Sequence, residues 1–235
     1  MTVGDMTIWM SEGNPSRLLN DCPNMTADSL SSKFYVDANK WYFITPLHDV
    51  ILSNISHSAN ASYVIRYYDG DSRANNGTGN SWRNVDGDRL LAGQGYIFHC
   101  NSSGWLSFPA EASVHEQVFT TADVTKQLAV HESTAKANKN WNYVGNPYPA
   151  YYDIYYMDFT APITVWTGST YKAYSIADDN YVLRPMQSFF VQKPDEVDRI
   201  IFRKEGRQLS STVDRASYAQ TRGVIDRPRH FFDQA

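Results

Sequence analysis

Two segments of this sequence follow one plan, and this feature constrains the fold more than any other. Trp41–Asp49 and Trp141–Asp153 each open with a Trp, continue through aromatic and aliphatic residues, and then reach a Pro and an Asp. A hydrophobic residue, Val50 or Ile154, directly follows each Asp. A segment that recurs in this way predicts a chain built from two copies of one structural unit.

Two further pairs of segments repeat in the same order. Tyr63–Gly70 aligns with Ala161–Gly168, with Ile over Ile and Gly over Gly at one common offset. Leu90–Phe98 aligns without a gap with Leu183–Val191, and both segments carry a Gln at the same position in an otherwise apolar run. Unrelated strands share aromatic residues and Gly turns but not such a Gln, so the sequence predicts an internal duplication.

The composition predicts a globular protein rich in β-strands. The chain has 235 residues, of which 42% are hydrophobic, with sixteen Tyr and six Trp. Tyr and Trp favour strands and half-exposed surfaces. The formal net charge is −4 and the charges are interspersed, so nucleic acid is not an expected partner. No apolar run is long enough for a membrane span, and no signal peptide pattern opens the chain, so we expect any export signal to lie outside it.

Strand and turn signals divide the chain into five segments within an all-β fold. We expect two related β-sandwich-like modules that arose by internal duplication. The segments are lead-in strands at 1–39, a first β repeat at 40–112, a connector at 113–139, a second β repeat at 140–208, and a polar tail or truncated next module at 209–235.

The strands can be placed individually from alternation and turn residues. The predicted strands are Met6–Met10, Phe34–Val36, Trp41–Thr45, Tyr63–Tyr68, Gln94–His99, Trp105–Phe108, Trp141–Val144, Ile163–Trp166, Tyr171–Ser175, Gln187–Gln192 and Arg199–Arg203. Val50–Ile55 fits a helical turn or a strand. The connector has a helical composition over Thr121–Lys136 but no apolar stripe, so we predict strands at Val118–Phe119 and Leu128–Val130 instead.

No catalytic signature is complete in this sequence. His131–Ala135 begins like the HExxH helix of zinc proteases, but Ala135 stands where the second His would be. Cys100 adjoins His99 on a predicted strand, where neighbouring side chains point to opposite faces. Cys22 and Cys100 are too few for a disulfide scaffold, and either pairing or free thiols would suit the fold. We therefore expect a protein that is not an enzyme and holds no cofactor.

Two acidic turns are the only metal candidates in the sequence. Asp69 and Asp71 flank one Gly, and Asp86 and Asp88 flank another. Two such loops could converge on calcium, which takes six to eight oxygen ligands. Asp and Gly are also the residues that form hairpin turns, and this alternative is favoured, so no metal is expected.

A dense group of aromatic residues follows the second Trp segment. Its members are Tyr148, Tyr151, Tyr152, Tyr155 and Trp166. Exposed rings of this kind would stack on sugars or hold a protein partner. The favoured alternative is that they pack the core, because only contiguous exposed patches indicate binding. Loss of glycan binding on Trp166→Ala would favour a carbohydrate-binding module.

Four residues of the repeat are assigned structural roles. Trp41 and Trp141 are expected to open core strands, so Trp141→Ala should cost about 3 to 5 kcal/mol of stability. Gln94 and Gln187 are expected to be buried, and a buried amide needs hydrogen-bond partners. We expect those partners in the loop after each Trp strand, where Pro leaves carbonyl groups unpaired.

Both repeats resemble modules near the C-terminal ends of large Bacteroidales secreted or surface proteins, often leucine-rich-repeat or adhesin-like chains. The likeness rests on Lys40–Asp49, Leu91–Phe98, Trp141–Asp153, Phe159–Trp166 and Met186–Pro194. It implies a β architecture and a secreted or cell-surface location, and it transfers no catalytic residue. Some of these proteins use type IX secretion, but no sorting tail is recognisable after the second repeat.

Taken together, the sequence predicts a non-catalytic extracellular or cell-surface β module with a structural, adhesion or binding role. The alternative is a carbohydrate-binding module of a larger glycan-processing enzyme. The expected partners are a glycan or a host or surface protein. The sequence indicates no oligomeric state.

Overall fold

The computed structural model describes residues 1–213, which form an all-β fold with two short α-helices. Residues 214–235, most of the predicted tail at 209–235, lie outside the described part. The first half contains β1 (Thr2–Met10), β2 (Thr26–Val36), β3 (Trp41–Ile44), β4 (Val50–Ile51), β5 (Ser56–His57), β6 (Tyr63–Tyr68), α1 (Gly70–Asn76), β7 (Trp82–Asn84), β8 (Arg89–Leu90), β9 (Tyr96–Cys100), β10 (Gly104–Ala110) and α2 (His115–Phe119).

The second half begins after α2 and is built from short strands alone, apart from single turns of 3-10 helix. Its strands are β11 (Val124–Gln127), β12 (Trp141–Gly145), β13 (Tyr151–Asp153), β14 (Met157–Asp158), β15 (Ile163–Trp166), β16 (Tyr171–Tyr174), β17 (Val182–Leu183), β18 (Ser188–Gln192), β19 (Arg199–Phe202) and β20 (Arg207–Gln208). The 3-10 turns of the described chain are Leu52–Asn54, Ala112–Val114, Ile154–Tyr156 and Lys204–Gly206.

Each half has its own hydrophobic core. Tyr42, Phe98 and Leu106 belong to the first core, which draws its residues from 8–119 and from one distant residue, Met186. Tyr152 and Phe189 belong to the second core, whose buried residues lie between 128 and 202. The chain therefore packs as two β units, and Met186 crosses from the second half into the first core.

The strand orders of the two halves correspond. A four-stranded sheet has the order β3-β9-β6-β7 in the first half and β12-β18-β15-β16 in the second. The order β2-β10-β5 corresponds to β11-β19-β14, and the pair β4-β8 to β13-β17. The registers correspond as well, since Trp41 pairs with His99 where Trp141 pairs with Gln192. This is the arrangement that a duplication would produce, and the duplication itself stays a prediction.

The two halves meet through a reciprocal pair of backbone contacts. Ile44 at the end of β3 forms a bridge with Gln187, and Val144 in β12 forms a bridge with Gln94. Next to these, Thr45 N donates to Met186 O at 2.9 Å, and Gly145 N donates to Gly93 O at 2.9 Å. Because each contact has a counterpart with the roles of the halves exchanged, the junction has approximate two-fold symmetry.

Most of the predicted strands are confirmed, and Tyr63–Tyr68 and Ile163–Trp166 keep their predicted bounds. The strand predicted at Val118–Phe119 is wrong, because both residues lie in α2, where they and His115 are buried at helical spacing. The strand predicted at Leu128–Val130 is replaced by β11, which ends before it. Val50–Ile55 contains both alternatives, a strand followed by a 3-10 turn.

The two cysteines are free thiols rather than a disulfide. Cys100 is buried in the first core, and burial raises the pKa of its thiol to about 11. Cys22 lies half-buried before β2. Within residues 1–213, no helix is long and apolar enough to cross a membrane.

Candidate ligand-binding site

Aromatic residues line the outer face, pointing away from the core, of the two corresponding sheets β3-β9-β6-β7 and β12-β18-β15-β16. In β3, Tyr42 and Ile44 are buried in the core, so Trp41 and Phe43 point the other way. The outward rings of the two sheets meet beside the junction and form what we call the aromatic cleft. It consists of Phe43, Tyr68, Trp82, Tyr143, Trp166, Tyr171 and Phe190.

Four rings of the aromatic cleft lie at corresponding positions of the two halves. Tyr68 lies opposite Trp82 where β6 pairs with β7, and Trp166 lies opposite Tyr171 across the β15–β16 hairpin. Between the halves, Phe43 stacks on Trp166 with ring centroids 5.6 Å apart. Such pairs contribute about 0.5–1.5 kcal/mol each beyond their buried area, so the rings also hold the halves together.

A cavity of about 350 Å³ opens in the aromatic cleft. Its aromatic walls are Tyr68, Trp82, Trp141, Tyr171 and Phe190, and its polar side chains are Arg73, Thr78, Ser81 and Thr164. Apolar walls with a few polar groups are the usual composition of a small-molecule site, and the volume lies at the lower end of the common range of about 300–1,000 Å³. A cavity of this size suits a small molecule.

Helix α1 places a cation at this cavity. Asp69 caps the helix by accepting a hydrogen bond from Ser72 N at 2.9 Å. Gly70 lets the His131 imidazole pack against the first turn, where an added Cβ would come within 2.3 Å of the ring. His131 Nδ1 also lies 2.8 Å from Asp71 Oδ1. With its first turn fixed in this way, α1 directs Arg73 to the rim of the cavity.

Arg73 is the only charged residue among the described residues that line this cavity. Its guanidinium lies 5.7 Å from the ring centroid of Trp141, and Nη2 donates to Ala137 O at 3.3 Å. Burial raises the pKa of Tyr68 to about 12, although the charge of Arg73 opposes that shift. At neutral pH the site therefore offers a permanent cation and a neutral phenol.

A second, larger cavity of about 550 Å³ lies where the two halves and the lead-in segment meet. Three charged side chains line it, Asp49, Glu116 and Lys126, and two of them are engaged by backbone groups. Asp49 Oδ1 accepts from Ala92 N at 2.8 Å, and Lys126 Nζ donates to Ala92 O at 3.3 Å. Burial lowers the pKa of Lys126, and Asp49 opposes this shift. Because these groups stabilise the junction, the aromatic cleft is the better candidate for ligand binding.

The aromatic residues selected from the sequence divide between core and surface. Tyr148, Tyr151 and Tyr152 are buried, so they pack the protein rather than form a surface site. The hydroxyl of Tyr148 donates to Phe202 O at 2.7 Å. Tyr155 is half-buried and packs edge-on against Tyr156. Of these five residues only Trp166 belongs to the aromatic cleft, where its ring stacks on Phe43.

The acidic turns do not form a calcium site. Asp69 caps α1 and pairs with Arg83 at 3.2 Å, while Asp71 contacts His131. Asp86 and Asp88 are exposed in the loop before β8. In the part of the chain that the structure describes, no group of three or more His, Cys, Asp or Glu side chains is placed to hold a metal. The first acidic pair therefore starts a helix instead of the predicted hairpin turn.

The structural roles assigned to the repeated Trp and Gln residues need correction. Trp41 opens β3 but is 38% exposed, and Trp141 opens β12 half-buried, so neither ring is a core residue. The amide of Gln187 bonds to Arg184 N and to the Tyr181 hydroxyl, not to the loop after β12. Gln94 is only half-buried. Both Gln residues instead serve the junction through their backbone bridges.

The residues that matter most at the cavity were missed from the sequence. β7, which carries Trp82, is absent from the strands that the sequence predicts, and no sequence signal singles out Arg73 on α1. One signal was available, because Phe190 lies within a run of three apolar residues on β18, so both faces of that strand had to be apolar. That pattern indicates a strand covered on both sides, and here the outer cover is the aromatic cleft.

No protein-family model, curated protein or solved structure matches this chain. A functional assignment therefore has to come from the geometry of the described residues.

Proposed function

We propose that this chain is a non-catalytic carbohydrate-binding β module of a secreted or cell-surface protein, acting in adhesion or glycan capture, and that sugar binds in the aromatic cleft. The observation that carries the proposal is the cavity of about 350 Å³ with aromatic walls and a few polar side chains. The location is supported by the resemblance of both repeats to modules of Bacteroidales surface proteins.

The lining of the cavity suits a sugar ring. The C–H faces of a sugar are apolar and pack on aromatic rings, while its hydroxyl groups need donors and acceptors at the edge. Trp82 and Tyr171 supply rings from the two sheets, and Thr78 and Thr164 supply hydroxyl groups. A fully apolar ligand would leave these hydroxyl groups without hydrogen-bond partners at the cavity wall.

The same lining suits binding rather than hydrolysis. A glycosidase places two carboxyl groups across the scissile bond. The described residues that line the cavity include no carboxylate and no imidazole. The phenol of Tyr68 stays protonated at neutral pH because burial raises its pKa to about 12. We therefore place the proposed role in recognition, whether the module stands in an adhesin or beside an enzyme domain.

The test is a glycan array probed with the full chain and with three variants. Tyr171→Ala and Trp82→Ala each remove a wall of the cavity and should abolish binding to the glycans that the wild type retains. Trp105→Ala is the matched control, because Trp105 packs with Trp9 and Tyr35 on another sheet, away from the cleft. Each variant is first checked for a cooperative thermal transition.

Two results would overturn the proposal. One is a wild-type chain that retains no glycan at all. The other is binding that survives both wall substitutions in variants whose melting temperatures show that they are folded.

A further inference from the structure

We infer that the aromatic cleft selects a sugar ring that bears a carboxylate, and that Arg73 is the residue that recognises this group. The inference rests on the proposed function and adds the chemical class of the ligand. It is carried by the position of a cation without an ionic partner at the wall of the cavity.

The hydrogen bonds of Arg73 leave the end of its guanidinium available. Nε is buried and has no acceptor, and Nη2 makes one contact, with Ala137 O at 3.3 Å. Nη1 donates no hydrogen bond to any described residue, and the Arg73 side chain as a whole is half-buried rather than enclosed. The stem is thus held in place, while N–H groups at the end of the fork remain unsatisfied. A carboxylate fits such a fork with two parallel hydrogen bonds.

The acidic residues near Arg73 in sequence have other partners. Asp69 pairs with Arg83 at 3.2 Å, and Asp71 contacts His131 at 2.8 Å. Among residues 1–213, no carboxylate lies within ion-pair distance of Arg73. A ligand carboxylate would therefore supply the one charge that the site lacks.

The preference for an acidic sugar would come from Arg73 and not from the overall charge of the protein. The formal net charge is −4, so the protein does not attract anions in general. An acidic sugar would be held by one fixed cation next to the aromatic walls. The low polarity of those walls strengthens the interaction of Arg73 with an anion compared with the same pair in water.

The experiment compares matched sugars that differ only in the carboxylate. Methyl β-glucuronide is titrated against methyl β-glucoside, and methyl galacturonide against methyl galactoside, with the full chain and detection by ligand NMR. The wild type should bind at least one acidic sugar about tenfold more tightly than its neutral partner. The methyl glycoside of sialic acid and a glucoside 6-sulfate complete the panel.

Variants at Arg73 test whether this residue is the cause. Arg73→Gln should bring the acidic and neutral affinities of a pair to within about twofold, and Arg73→Lys should restore only part of the preference because an ammonium has no planar fork. Arg66→Gln is the control, since Arg66 lies over Trp41 outside the cavity and its loss should leave the preference unchanged. Melting temperatures establish that each variant is folded.

The outcomes separate this inference from the proposed function. Neutral and acidic sugars bound equally by the wild type, or a preference that survives Arg73→Gln, would overturn the inference and leave the sugar site standing. A stronger preference for the sulfate would overturn the carboxylate assignment. A protein that binds none of these sugars, and no glycan on the array, would overturn both proposals.

Discussion

Met186 holds an unusual backbone conformation at the junction of the two halves, and a comparison of two substitutions should measure its cost. Its φ is 58°, in the left-handed region that residues other than Gly rarely adopt. The corresponding position in the first half is Gly93, with φ 69°. The Met186 side chain is fully buried in the first core, and its carbonyl accepts from Thr45 N. Packing and hydrogen bonding thus maintain the strained conformation.

The expected magnitudes follow from this geometry. Met186→Ala and Met186→Gly both lose the buried side chain, which costs about 2–5 kcal/mol. Only Met186→Gly also relieves the strain of the left-handed conformation, which stabilises the folded state by about 1–2 kcal/mol. Against this, Gly raises the conformational entropy of the unfolded chain, which costs about 0.4–1 kcal/mol of stability. We therefore expect Met186→Gly to be about 1 kcal/mol more stable than Met186→Ala, the reverse of the usual order.

Urea denaturation followed by tryptophan fluorescence would measure both variants. Gly93→Ala is the matched test in the first half. An added Cβ there meets nothing closer than Lys126 Cδ at 3.8 Å, so its cost, also about 1 kcal/mol, would be conformational alone. Ala150→Gly is the control for a buried position without positive φ, and it should lower the free energy of unfolding as Ala→Gly substitutions ordinarily do. A Met186→Ala variant as stable as Met186→Gly would refute the strain argument.

Three further predictions concern buried polar groups. Burial lowers the pKa of His48, so as pH falls the unfolded chain binds a proton at His48 before the folded protein does, and the free energy of unfolding should fall below about pH 6.5. In urea denaturation at several pH values, His48→Gln should show a smaller dependence of this free energy on pH. An equal dependence in the variant and the wild type would contradict the prediction. The pKa of the Cys100 thiol is raised to about 11, so in the native protein at pH 8 Cys100 should resist thiol reagents while Cys22 reacts. Two thiols that react at one fast rate would contradict this prediction. Tyr148→Phe should lower the free energy of unfolding, measured by heat or urea, by about 1–2 kcal/mol, because Phe202 O and Ala122 O lose the hydroxyl that donates to them. Unchanged stability would contradict the prediction and show that another donor replaces this hydroxyl.

The strands could be predicted because their sequence signals are local. Tyr63–Tyr68 and Ile163–Trp166 are short β-branched and aromatic runs between turn residues, and their bounds came out as predicted. The order of the repeated blocks also anticipated the corresponding strand orders. Local signals failed at Asp69, where an acid beside Gly fits both a hairpin turn and a helix cap. The helix was decided by Ser72 N and by His131, which is distant in sequence.

The burial of individual rings could not be predicted, because it depends on which face of a strand meets the other half. Trp41 and Trp141 open their strands as expected, yet alternation turns them away from the cores. Tyr148 and Tyr152 lie in the densest aromatic segment and are fully buried. Aromatic content therefore indicates how much apolar surface a strand carries, and the sheet packing decides where that surface goes.

The candidate site lies where the two halves differ. β15 and β16 are joined by a tight turn, Thr167 to Thr170, whereas β6 and β7 are joined through α1 and the segment after it. Most rings of the cleft have counterparts across the junction, but Arg73, Thr78 and Ser81 come only from this longer connection. Corresponding strands thus supply aromatic walls from both sides, and α1 supplies the charge. Because the corresponding connection at Thr167 to Thr170 is a tight turn without a helix, the charged side chain of this cavity comes from the first half alone.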